Sequence, residues 1–337
     1  MISRSLEVTG AGPLLQKWCA SFLAGCKSFV QIGEEESDPW IVESGSGQGR
    51  PLSPDLYNLS TFSQAIIVSN PDFFNYADDG GDVICGDSIE LCNAKIKTVL
   101  EQRIHWYRSM GLSLNIAKTE IMGFNFKPEN ITIGNTSISP KSEITFLGVK
   151  IQSSLKWNCH IETLCRKIRA AAGRIRMDGR HLGIPDKKIL YFGWIQSLIQ
   201  SNGLAYLPTL NQSELIDLQT ACNAGIRSIV GLPRFGYAEI SVLRKHLRIP
   251  SISAIKNRVC SVAAWKHFSV KINNSSDCTG PITRGRSNNN IPLPDMRGHA
   301  GKISSASLTK AWNALPIQVK NANSISSVKH YVKKSFM

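Results

Sequence analysis

The spacing of apolar residues changes character at Trp157, and that change limits the possible folds more than any other feature of the chain. Ahead of it, short apolar runs alternate with Gly-, Pro- and Asp-rich breaks, the pattern of short strands and turns interleaved with helices. Behind it, apolar residues recur at helical spacing through about 158–177, 184–201, 212–230 and 250–270, with Gly and Pro between the segments. The expectation is an α+β chain in which residues 1–156 form a mixed half and residues 157–270 a mainly helical one. Residues 271–300 are polar and rich in Asn, Ser, Gly and Pro, which predicts a flexible linker. Residues 301–337 return to short helices around Leu308–Leu315 and Ile325–Phe336.

Within the mixed half, residues 12–24 carry apolar groups at helical spacing, and residues 29–44 read as two short strands around a polar, Gly-containing turn. A glycine-rich stretch from Gly45 to Gly49 leads into Ser53-Pro54, an N-cap and first-turn pair that opens a helix to about residue 68. Apolar stretches Phe73–Ala77 and Val83–Cys85 flank Asp78-Asp79-Gly80-Gly81, which predicts a hairpin turning on those four residues. A long amphipathic helix follows over 89–110, closed by Gly111. Strand-like pieces come next at about 119–125, 130–133 and 144–151.

Composition narrows the class of function. Hydrophobic residues make up 42% of the 337, enough to bury a sizeable core. Lys and Arg outnumber Asp and Glu by 39 to 25, a formal charge of +14 that favours a polyanionic partner, nucleic acid most simply and an anionic membrane otherwise. No run of ~20 apolar residues and no secretory pattern is present, so an intracellular protein of nucleus or cytoplasm is expected, not a secreted or membrane one. The nine cysteines are odd in number and without CxxC pairs, which suits neither a disulfide framework nor a zinc ribbon. Cys159, His160 and Cys165 lack a fourth ligand, so no zinc is expected.

The chemistry concentrates in Tyr76-Ala77-Asp78-Asp79. Adjacent carboxylates between apolar strands repel each other, and divalent cations relieve that repulsion; two-metal phosphoryl transfer uses such hard oxygen ligands. An ordinary exposed turn is the competing reading, since Asp-Asp-Gly is good turn chemistry. Gly47 and Gly49 allow backbone to approach a polymer or nucleotide closely, and Gln48 offers a donor and an acceptor. Lys118 suits a phosphate or a pyrophosphate leaving group, unless it is a solvated surface charge. Arg166, Lys167, Arg169, Arg174 and Arg176 line one helical segment, as phosphate contacts or as a solvated face.

Together these strings resemble the reverse transcriptases of non-LTR (LINE-type) retrotransposons. Tyr76-Ala77-Asp78-Asp79 is similar to the family's Y/F-x-D-D hairpin, and Gly45 to Pro54, continuing through Tyr57-Asn58-Leu59, resembles its G-x-P-Q-G-x-x-L-S-P element. Gly111-Leu112-Ser113-Leu114-Asn115 with Lys118-Thr119-Glu120 resembles G-L-x-L-N-x-x-K-T. Phe146-Leu147-Gly148 with Leu155, Trp157 and His160 resembles the F/Y-L-G element and the start of the thumb. Trp312-Asn313-Ala314-Leu315-Pro316 is similar to a late W-N-x-L-P pattern.

The resemblance implies a partial right-hand polymerase palm, an antiparallel sheet backed by helices, followed by a helical thumb and connector. It implies RNA-directed DNA polymerisation, with Mg²⁺ or Mn²⁺ held by Asp78 and Asp79, Lys118 as a further catalytic group, and an RNA template, DNA primer and dNTP as partners. Gly47, Gln48, Gly49, Tyr76, Phe146, Leu147 and Gly148 would contact template, primer or nucleotide.

Two departures stand out. Ser46 and Gly47 replace the family's Val and Pro, and the third metal-binding aspartate of a D-x-x-x-A/S-F-D-like segment is not found; Asp38 is the sole Asp ahead of Gly45. The expectation is therefore a polymerase truncated upstream of that aspartate and inactive alone. The alternative is a non-catalytic nucleic-acid-binding module built on the basic helical half.

Overall fold

A computed structural model describes residues 6–7, 10–42, 45, 47, 49–62, 64–68, 70, 72–134, 136–233, 237–274, 291, 300–322 and 324–336, with backbone alone at 65–66, 270–274 and 300–305. The chain is mixed α+β and divides into two units, Met1–Lys141 and Ser142–Met337.

In the first unit, Pro13 opens helix α1 (Pro13–Leu23), where its missing N–H costs no hydrogen bond. The helix buries Cys19 against Leu6 and Leu56. The turn predicted near Gly33 is present: β2 (Gln31–Ile32) pairs with β3 (Glu35–Glu36) across Gly33 at φ +66°, and β1 (Lys27–Ser28) pairs with β4 (Trp40–Ile41). The helix expected to run to 68 is α2 (Ser53–Phe62) followed by a short α3 (Gln64–Ile67).

The hairpin β5 (Phe73–Tyr76) and β6 (Asp79–Asp82) turns two residues earlier than Asp78-Asp79-Gly80-Gly81 suggests, on Ala77-Asp78, with Tyr76 paired to Asp79. Gly80 and Gly81 lie in the strand, not the turn. Packing is the reason. A Cβ at Gly81 would come within 2.4 Å of the Phe74 ring, which occupies that space from the opposite strand, and one at Gly80 would lie 2.9 Å from Asn75 Oδ1.

Helix α4 (Ile89–Ser109) starts where Ser88 Oγ accepts the Leu91 N–H and ends at Gly111, φ +68°. Leu112 N–H donates to the Tyr107 carbonyl and Gly111 N–H to that of Arg108, a Schellman closure. The expected strand at 119–125 is absent. Asn115 caps a single 3-10 turn (Ile116–Lys118), and the chain then folds sharply, since a Cβ at Gly123 would meet the Phe126 carbonyl at 2.4 Å. Residues 130–133 do supply a strand, β7 (Ile131–Ile133), paired with β8 (Thr136–Ile138).

The second unit begins with another correction. The strand-like piece 144–151 is a hairpin, β9 (Glu143–Phe146) and β10 (Val149–Gln152), joined by Leu147-Gly148. Positive φ at both loop residues, +47° and +80°, is the type I′ signature. Among the described residues every strand belongs to a two-stranded antiparallel ladder, so no continuous sheet of palm type forms there. The ladders are two to four residues long, too short to offer a broad second edge.

The helical part follows the sequence expectation closely. Helix α5 (Asn158–Met177) packs against α9 (Gln212–Val230) through Ile168, Ala172, Ile175, Leu218, Cys222 and Ile226. Between them in sequence come α6 (Ile184–Tyr191), a π-helical stretch Phe192–Gln196, α7 (Ser197–Gln200) and α8 (Gly203–Tyr206). A capping box of Asn211 and Glu214 starts α9, and Gly231 at φ +75° ends it. The short α10 (Ile240–His246) precedes α11 (Ile252–Asn274), which packs with α12 (Ala300–Asn313) and α14 (Ile325–Ser335); α13 (Ile317–Lys320) lies between those two in sequence. Their core is Ala264, Trp312, Leu315, Val328 and Val332. Most of the expected linker, residues 275–290 and 292–299, lies outside the described residues.

Candidate functional site

Tyr76, Asp78 and Asp79 sit at the end of the β5–β6 hairpin, all exposed. Ala77 adopts φ +52° while Asp78 stays negative, the type II′ pattern that favours glycine at its first position. A non-glycine residue there stores about 1–3 kcal/mol of strain, so the surroundings must hold the turn. They do so from below. Arg103 of α4, with 7% of its side chain exposed, grips Asp82 at the base of β6 with two bonds, Nε to Oδ2 and Nη2 to Oδ1, each 2.5 Å. Asn70 Nδ2 donates to the same carboxylate at 2.9 Å, and the guanidinium lies 5.0 Å from the Phe73 ring centroid. On the other strand, Asn75 Nδ2 donates to Gln64 Oε1 at 2.6 Å. Burial, then the neighbouring Tyr107 and Asp78, raise the Tyr57 hydroxyl above its usual range.

Neither Asp78 nor Asp79 forms an ion pair with a described residue. Their carboxylates are hard oxygen donors suited to Mg²⁺ or Mn²⁺. Among the described residues no group of three or more His, Cys, Asp and Glu side chains gathers where a metal could sit.

Around the glycine-rich element, Gly47 and Gly49 take φ +71° and +81°, as close backbone turns require; Gln48 lies outside the described residues. The Ser53 hydroxyl donates to the Gly47 carbonyl, and Arg50 folds back over the Phe22 ring at 5.2 Å. Lys118 is exposed at the end of its 3-10 turn, and no hydrogen bond or ion pair among the described residues links its ammonium to the aspartates.

In the second unit, the Leu147 carbonyl in the Phe146-Leu147-Gly148 turn accepts from Asn202 Nδ2 at 2.8 Å. Trp157 and His160 fasten that hairpin to the helices. Trp157 Nε1 donates to Thr209 Oγ1 at 2.7 Å, and the His160 ring packs edge-on against Tyr206 with centroids 4.7 Å apart. His160 Nδ1 accepts the Lys150 N–H at 3.4 Å, so the ring is held neutral, its pKa lowered by burial and then by Lys167 and Lys150. The five cations of α5 divide. All five are exposed, but Arg166, Lys167 and Arg169 make no ion pair with a described residue. Arg174 lies over the Trp194 ring at 4.9 Å and 3.6 Å from Asp178, and Arg176 Nη2 donates to the Leu232 carbonyl at 2.7 Å.

No family model matches the chain, and no curated protein is significantly similar to it. The family resemblance therefore rests on the short motifs alone. Sequence reading passed over the Arg103–Asp82 pair, although one signal was available: Arg103 shares the buried face of α4 with Val99 and Trp106, where an unpaired charge is costly. It also gave the W-N-x-L-P string no physical role. Trp312 fills the C-terminal core, and Asn313 binds both the N–H and the carbonyl of Ile291 at 2.9 and 2.8 Å.

Proposed function

We propose that the chain is the palm-and-thumb part of a reverse transcriptase of non-LTR type, a family acting on an RNA template, a DNA primer and dNTP, and that without the third metal-binding aspartate it is inactive alone. One observation carries this reading: two adjacent, solvent-facing carboxylates at the tip of a tight hairpin whose base is held by a buried ion pair. A rigid base with open acidic ligands at its end is what metal-assisted phosphoryl transfer asks of a protein. Mg²⁺ or Mn²⁺ bound there would neutralise charge on the reacting phosphate. Asp78 and Asp79 would hold that ion, Tyr76 offers an exposed ring beside it, and the positive-φ Gly49 leaves room for backbone to approach a strand, whereas the Arg50 side chain lies against Gly47. Lys118 remains the candidate for assisting the pyrophosphate leaving group. The palm architecture belongs to this proposal and rests on the motif order.

Primer extension on a homopolymeric RNA template with Mg²⁺ or Mn²⁺ tests it. Extension that Asp78→Asn abolishes shows retained catalysis at the hairpin; extension unaffected by Asp78→Asn removes the hairpin from the chemistry; no extension, with salt-sensitive RNA or DNA binding, favours a binding module without catalysis.

A second reading has its own observation, the three exposed cations of α5 that make no ion pair with a described residue. In it the chain binds nucleic acid through α5 without catalysis. Replacing Arg166, Lys167 and Arg169 by alanine should then flatten the slope of log affinity against log salt, by roughly 0.7–0.9 per lost phosphate contact. Alanine at Arg174 and Arg176, already engaged within the protein, should alter the slope less. An unchanged slope for the first three would discard this interface.

A further inference from the structure

In the first unit, a groove of about 400 Å³ runs between helix α4 and strand β7. Lys97, Glu101, His105 and Arg108 line one wall, at helical spacing that keeps them on one face of α4. Residues 131–134 line the other, and no residue of β8 joins them, so the groove opens on the unpaired edge of β7. Ile131 and Ile133 pair with Ile138 and Thr136, the second pair flanking the loop. Alternation along the strand then turns the Thr132 N–H and carbonyl to the groove. Lys97, Glu101 and Arg108 are exposed and form no ion pair with a described residue.

The same unit carries an edge of opposite charge. Residues 29–41, most of the ribbon formed by β1 to β4, are all exposed. Its turn and β3 hold Glu34-Glu35-Glu36, the sole run of three consecutive acids in the sequence, with Asp38 just beyond. Ser37 N–H donates to the Val30 carbonyl inside the ribbon, so the adjacent Glu36 turns its own N–H and carbonyl outward. Among the described residues no third strand pairs with that edge. Acids on an edge deter an ordinary apolar strand and suit a cationic one.

We infer that β3 of a second copy of this chain adds to the edge of β7, with Glu36 and Thr132 exchanging backbone bonds and the acids of the ribbon meeting Lys97 and Arg108. Strand addition takes its affinity from such main-chain bonds and its specificity from the side chains around them. Lys97 and Arg108 stand about 16 Å apart along the helix, and Glu34 to Asp38 span about 13 Å of extended chain, within reach of both long side chains. The uncharged Ser37 between Glu36 and Asp38 matches Glu101 between the two cations. Nucleic acid suits the groove less well. A phosphate at every nucleotide would set one against Glu101, and among the described residues no Phe, Tyr or Trp lines the groove to stack a base. The formal +14 of the chain opposes association at a distance, but at about 0.1 M salt that repulsion is screened beyond about 10 Å while pairs in contact persist.

The test is sedimentation velocity of the nuclease-treated full chain over a concentration series at about 0.1 M salt. Reversible self-association is expected. A groove variant, Lys97→Glu with Arg108→Glu, and a ribbon variant, Glu35→Lys with Glu36→Lys, change exposed positions and should keep the circular dichroism of the parent. Each should associate about tenfold or more weakly, because each sets like charges together. Mixed, the two variants should associate about as strongly as the parent, since each then meets the opposite charge on the other. Loss through misfolding, or through some other surface, would not be repaired by mixing. A parent that stays monomeric, a variant that associates as the parent does, or a mixture that remains apart would each overturn the inference.

Discussion

Asp82→Asn should release the end of the β5–β6 hairpin, by an amount that follows from burial. The Asp82 carboxylate receives two bonds from Arg103 and one from Asn70, and the two charged side chains are 19% and 7% exposed. Breaking one partner of a buried pair costs about 3–5 kcal/mol, because the remaining charge stays desolvated. The residual exposure of Asp82 lets water reach the site, and asparagine retains one oxygen for Arg103. An opening penalty of roughly 2–4 kcal/mol is therefore expected. At about 1.4 kcal/mol per factor of ten, the amides of residues 73–82 should exchange with deuterium roughly 30- to 1,000-fold faster. Exchange in α5 and α9, in the other unit, should not change.

Arg103→Met alone should cost a similar amount, since it strands the carboxylate. The double change should cost about 1 kcal/mol or more less than the two single changes added together, because neither charge is then left unmatched. Exchange rates within a factor of about three of the parent, or strictly additive effects, would refute the claim that this pair holds the hairpin.

Two further outcomes concern the helical unit. His160 is buried neutral with its folded pKa below the ordinary 6.5, so the unfolded chain takes up a proton first as pH falls. Stability should drop as pH goes below about 6.5 and level off beneath the folded value; urea unfolding across that range should show the slope, and His160→Phe should remove it. A Cβ at Gly225 would meet Ile195 Cδ1 at 2.5 Å and the Tyr191 ring at 2.9 Å. Gly225→Ala should thus lose roughly 1–3 kcal/mol to overpacking, partly offset by about 1 kcal/mol of helix propensity; a raised urea midpoint would contradict that packing.

The long helices were legible because their signals are local. The expected span 158–177 coincides with α5, and α9 matches 212–230 with a capping box at one end and a left-handed glycine at the other. The hairpin was legible as a hairpin but its turn was misplaced. Asp-Asp-Gly-Gly is favourable turn chemistry, and it lost to the Phe74 ring, which needs a strand position without a side chain opposite it. The turn at Leu147-Gly148 was hidden because leucine is a poor marker of a type I′ loop, and the Asn202 bond to its carbonyl comes from a residue far along the chain.

From sequence alone came the charge, the helix spans and the order of the motifs, since each depends on composition or on neighbours within a few residues. Tertiary packing decided which charges are occupied. It matched Arg103 with Asp82, set the exposed Arg174 on Trp194 and the exposed Arg176 on a carbonyl, and left Arg166, Lys167, Arg169, Asp78 and Asp79 facing water without an ion pair among the described residues. The difference is physical: whether a charge is paired depends on what desolvates it, and the groups that do so are brought together only when the chain has folded.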